Sequence, residues 1–140
     1  MNLSIHDNLL ISYEVQCDAR TITLRTKSPA GDEPTKFVNV VFVGVEGYRL
    51  ENDAFGNIIF GLDTISAEEF LAEYRSEIAE SYSSAGSPGP WAANSESALA
   101  HLQRQGTQGF ILSSSYGLSG WVLAHDASIF LVENLPSANR

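Results

Sequence analysis

Apolar and polar residues change their period midway along the chain. In the first half they alternate every second residue. In "LLISYEV", Leu9, Ile11, Tyr13 and Val15 alternate with Leu10, Ser12 and Glu14, which predicts a strand with one buried face. After a turn over Cys17 to Arg20, Ile22 and Leu24 alternate with Thr21, Thr23 and Arg25, so the two runs predict an antiparallel hairpin. "KSPAGDEPT" reads as a loop, because two prolines and a glycine interrupt it. "KFVNVVFVGVEGYRLE" carries near-continuous Val and Phe, which predicts a central strand buried on both faces. Gly44 and Gly47 mark a bulge or a bend within it. "NDAFGN" is a turn by composition, and "IIFGLDTI" is a further strand.

The second half opens with helical spacing. Ser66 followed by Glu69 is a capping box, S-x-x-E, and predicts a helix over about 67–82. At about 100° per residue, Ala67, Phe70, Leu71, Tyr74 and Ile78 share one side of it. Pro88 and Pro90 exclude a helix from "SSAGSPGPW". A second helix is predicted over about 95–105, with Ala98, Leu99 and Leu102 inward and Gly106 as its C-cap. It is too short to hold alone and must pack on a sheet. Three strands follow, "GFILSSS", "GWVLAHD" and "SIFLVEN"; residues 135–140 read as a frayed tail.

Strands, then helices, then strands predict an α+β fold. The expectation is a single domain over 1–140, with a mostly antiparallel sheet shared by both strand groups. The two helices, inserted between those groups, pack on one face. Alternating βαβ units are absent, which disfavours a Rossmann-type fold.

Composition narrows the partners. The chain has 140 residues, 44% hydrophobic and 18% charged, which places it among globular chains and not disordered ones. Its net charge of −9 repels phosphate backbones and anionic membranes and attracts a basic protein, although acidity also serves solubility. Neither nucleic acid nor a membrane is therefore an expected partner. The one cysteine, Cys17, fits a reducing cytoplasm, and the N-terminus shows no signal-peptide pattern. No apolar run reaches the roughly 18 residues that span a bilayer.

Candidate chemistry is sparse. "SSSYGLSGW" places Gly117 two residues before Ser119, but a nucleophile elbow needs glycine where Trp121 stands, and a helix where another strand follows. The stretch reads as a hairpin turn, with Tyr116 and Trp121 as candidate aromatic contacts for a partner. His6, His101 and His125 form no metal-ligand spacing, so no metal and no cofactor is expected. The prolines of "GSPGP" remove N–H donors that a phosphate cradle needs.

One helix feature stands out. Glu69, Glu73 and Glu77 are spaced i, i+4, i+8, with Glu80 three residues further, and all four lie within an arc of about 80°. Like charges at this spacing cost roughly 0.2–0.5 kcal/mol each. Arg75 projects to another side. The stripe is mildly unfavourable as pure structure. It reads either as a solvated face or as a docking face for a basic partner.

The succession "HDNLLISYEV", "TITLRT", "VVFVGVEGYRLEN" and "NIIF" resembles small, mostly uncharacterised bacterial proteins, some of them similar to the immunity proteins of polymorphic-toxin systems. The resemblance spans Ile5 to Phe60, under half the chain, and rests on apolar strand patterns. It implies a cytoplasmic, non-enzymatic α+β protein that binds one cognate toxin and occludes it. Acidic immunity proteins face basic nuclease toxins, which suits the glutamate stripe. The expected partner-binding residues are Glu69, Glu73, Glu77, Glu80, Tyr116 and Trp121. Two other readings remain open: a small hydrolase-like enzyme built from the scattered histidines and serines, and a homo-oligomeric structural module pairing through a strand edge.

Overall fold

The computed structural model describes residues 3–133; the tail expected over 135–140 lies outside them. In chain order the elements are β1 (Leu9–Gln16), β2 (Thr21–Lys27), β3 (Phe37–Val43), β4 (Gly47–Glu51) and β5 (Ile58–Ile65). After these come α1 (Ala67–Ala85), a short 3-10 turn (Pro90–Ala93), α2 (Ser95–Gln105), β6 (Gln108–Tyr116), β7 (Ser119–Ala124) and β8 (Asp126–Leu131). All eight strands join one antiparallel sheet in the order β4-β7-β6-β5-β1-β2-β3-β8. The α+β class, the shared sheet and both helix positions match the sequence pattern; α1 runs three residues further than its apolar spacing suggested.

The sheet curls until its ends meet. β3 and β4 are one strand broken at Gly44, and β7 and β8 are one strand broken at His125. Val43 pairs with Asp126 before the break and Gly47 with Leu123 after it, so the first strand holds one extra residue. That is a β-bulge. The His125 N–H donates to Val43 O at 2.9 Å and Gly44 O at 3.2 Å, and the Glu46 N–H donates to Leu123 O at 2.8 Å, carrying the ladder across the break. Gly44 sits at φ +64, and a Cβ there would come 2.8 Å from the His125 Cβ. Only glycine fits without a shift.

The curl builds the inner core. Phe42 on β3 and Phe110 on β6 meet edge-on with ring centroids 5.4 Å apart. In a flat sheet, strands four places apart are separated by about 19 Å. Leu24, Val38, Val40, Ile59, Leu112 and Val122 fill the same interior. The wall is thinnest between β1 and β5, which pair at Leu9 and Ile58. There the Asp7 N–H donates to Ile59 O at 2.8 Å and the Leu10 N–H to Asn57 O at 3.0 Å.

A second core lies outside the curl. α1 and α2 lay Phe70, Leu71, Ile78, Ala98 and Leu102 over Ile111, Trp121 and Leu123 of β6 and β7. The Ser66 hydroxyl accepts from the Glu69 N–H at 3.0 Å, and the Glu69 carboxylate accepts from the Ser66 N–H at 3.1 Å. The expected capping box is therefore formed. Asn94 caps α2 by accepting from the Ser97 N–H at 2.8 Å, and Gly106 ends it in the left-handed region.

Two strand expectations change. β3 is not buried on both faces: Val38, Val40 and Phe42 are buried while Phe37, Asn39 and Val41 are half-exposed and Val43 is exposed. The doubly buried strand is β7, from Trp121 to Ala124, because the helices cover β6 and β7 and leave β3 bare. In β1, Leu10 is buried while Ile11 and Tyr13 are exposed. A bulge between Leu10 and Ser12 shifts the register and turns the expected face.

Candidate functional site

The six candidate contact residues divide by what they touch. Glu69 is used by the helix cap. Glu77 is half-buried: its carboxylate accepts from the Trp121 indole N–H and lies 3.6 Å from the Arg49 guanidinium of β4. The stripe is thus offset by a cation from another strand, which helix geometry alone does not reveal. Glu73 and Glu80 are exposed, and neither side chain is paired with a cation among the described residues.

Trp121 does not face solvent. It is 6% exposed and packs edge-on against Phe70 with centroids 5.0 Å apart. It completes the core between α1 and the sheet, which corrects its reading as a partner anchor. Its alternation with Val122 places it on the helix-covered face. Tyr116, at 59% exposed, remains available at the end of β6.

The structure brings Glu77, Glu80 and Trp121 to one cleft of about 500 Å³, walled further by Tyr48, Arg49 and Pro88. Glu69, Glu73 and Tyr116 do not line it. Beside it, Tyr74 stacks on Phe70, and burial followed by the Glu73 and Glu77 carboxylates raises its phenol above the ordinary range. The C-terminal half of α1 therefore presents carboxylates over an aromatic floor.

"SSSYGLSGW" is the hairpin expected between β6 and β7. The Ser113 hydroxyl donates to Gly61 O at 3.4 Å, and the Ser114 hydroxyl donates to Leu118 O. The histidines lie in three places. His6 meets Phe60 O at 2.6 Å, His101 meets Glu46 at 3.1 Å and stacks on Trp91, and His125 meets Gln105 O at 3.3 Å. Among the described residues, no histidine ring bonds a serine hydroxyl, and no group of three or more His, Cys, Asp or Glu could hold a metal ion. His6 and Asp7 precede the first strand in a turn, where Asp7 has φ 67, so their side chains approach within 3.5 Å instead of facing apart.

Sequence reasoning missed the loop 52–57, which it read only as a turn. The signal was present: Phe55 stands in a stretch carrying Asn52, Asp53, Gly56 and Asn57, residue types that a turn favours, and Phe is not one of those types. The Asp53 carboxylate accepts from the Phe55 N–H at 2.8 Å, from Asn57 Nδ2 at 2.9 Å and from the Tyr13 hydroxyl at 2.9 Å. These donors, Asn57 first, hold the Asp53 carboxyl below its ordinary range, while the Asp53 bond raises the Tyr13 phenol.

No described helix is long and apolar enough to cross a membrane. Compared with protein-family models, curated proteins and solved structures, the chain finds no match in any of the three.

Proposed function

We propose that this protein is a non-enzymatic binding module that docks a basic protein on the acidic outer face of α1. The observation that carries the reading is the split within the stripe. Glu69 and Glu77 have structural partners, whereas Glu73 and Glu80 stand exposed with none among the described residues. Glu73 and Glu80 stand two turns apart on one face of α1, where exposed carboxylates without a cation are favourable for attracting a cationic surface. The net charge of −9 extends that attraction beyond contact distance. The resemblance of Ile5 to Phe60 to immunity proteins suggests the kind of partner: a bacterial toxin, blocked in the cytoplasm by occlusion.

The test uses wild type and a Glu73→Lys/Glu80→Lys double variant as baits in an extract of the native host at low salt. A basic protein retained by wild type and lost from the variant supports the reading. Equal retention by both overturns it. A retained protein encoded beside this chain and secreted as a toxin would support the immunity role.

A further inference from the structure

We infer that the loop 52–57 is a preformed aromatic anchor that, together with Tyr116, inserts into an apolar pocket with a basic rim on a partner protein. This surface is separate from the helix face proposed above.

Phe55 is 93% exposed, the most exposed of the large apolar side chains described. Its backbone has φ +64, a left-handed conformation that suits glycine and is an outlier for a bulky side chain. A loop that only had to turn would place glycine there. Gly56 stands next to it, yet the left-handed position holds the aromatic. Strain of this kind persists only where surrounding bonds hold it.

Those bonds are present. Asp53 fixes the Phe55 N–H. The Asn57 side-chain oxygen accepts from the Ala54 N–H and from the Leu118 N–H, both at 2.9 Å. Asn57 is itself buried, so one side chain ties this loop to the turn after Tyr116. Ile58 and Tyr116 are cross-strand partners, which brings the second aromatic to the same rim. An aromatic carried on a fixed backbone has less chain to order on binding, which lowers the cost of using it as an anchor.

Charge selects the partner. The chain has no Lys or Arg from Leu50 to Tyr74 or from Gln105 to Asn139, the two segments that carry these aromatics. Of the carboxylates that closely precede Phe55, Glu51 lies 3.5 Å from Arg49 and Asp53 is held by Tyr13, Asn57 and the Phe55 N–H. Cationic side chains on the partner would meet no cation from these two segments and would find exposed ring faces.

The test is site-specific photo-crosslinking of the full chain in its native host. p-Benzoylphenylalanine is placed at position 55, 116, 73 or, as a distant exposed control, 30. Adducts from 55 and 116 to one basic protein, with none from 30, are expected. Replacing Phe55 by Ala should then weaken binding of that purified protein by about 30-fold. No adduct from 55, equal yield from 30, an acidic target or a second copy of this chain would overturn the inference. Adducts from 73 without 55 would leave the helix reading standing and remove this one; adducts from 55 and 116 without 73 would do the reverse.

Discussion

The Trp121 indole N–H donates to the Glu77 carboxylate, tying β7 to α1. Arg49 stands 3.6 Å from the same carboxylate. Within one acidic stripe, Glu77 is therefore structural while Glu73 is not. Replacing Glu77 by Leu leaves a buried N–H donor unpaired, which costs about 1–3 kcal/mol. Replacing Glu73 by Lys, an exposed surface change, should stay within about 0.5 kcal/mol. Urea unfolding of the two variants measures the difference; equal losses would contradict the assignment.

Stability should fall at both ends of the pH range around Asp53, at the acid end through its bonds from Asn57, the Phe55 N–H and Tyr13, and at the alkaline end through the Tyr13 bond. The Asp53 carboxyl is held below its ordinary 3.8, so the folded chain binds fewer protons there than the unfolded chain. Its contribution is present above that value and lost as pH falls through the depressed one. The Tyr13 phenol is raised above its ordinary 10.0, so its contribution is full below 10.0 and lost as pH rises through the raised value. Tyr13→Phe should flatten the alkaline limb of a stability–pH curve and reduce the acid one. An unchanged alkaline limb would show that the bond does not contribute.

Phe55→Gly should stabilise the protein. Glycine occupies φ +64 without the penalty of roughly 1 kcal/mol that an L side chain carries there. Little packing is lost, because the ring is almost wholly exposed. Thermal unfolding should shift upward while partner binding falls. A lower melting temperature would mean that the ring packs on the fold.

Gly120→Ala should be far more damaging than Gly61→Ala. Gly120 lies opposite Leu50 in the β4–β7 pairing, and an added Cβ would stand 1.8 Å from the Arg49 carbonyl oxygen. The two strands would have to separate, at a cost of about 3 kcal/mol. Gly61 has nothing within 4 Å of that position. Amide hydrogen exchange in β4 reports the separation directly.

Much of the local structure was legible because its signals are local. The caps at Ser66 and Gly106 and the apolar spacing from Ala67 to Ile78 placed both helices within a few residues. The hairpin after Tyr116 followed from turn residues between two apolar runs. The site was less legible. Arg49, which neutralises part of the stripe, comes from 28 residues before Glu77, and no helix pattern contains it.

By itself, the sequence determined the element types, the hairpins, the acidic surface and the absence of motif chemistry, since each depends on neighbours within one turn or one strand pair. Only the tertiary structure decided which strands were covered on both faces and which aromatics stayed in solvent. The curl that brings Phe42 to Phe110 depends on pairing β3–β4 with β7–β8 across most of the chain. That closure, with the helices laid on β6 and β7, buried Trp121 and left Tyr116 and Phe55 in solvent. All three are aromatics beside glycines or turn residues. Burial is set by what covers a residue, and what covers these comes from distant parts of the chain.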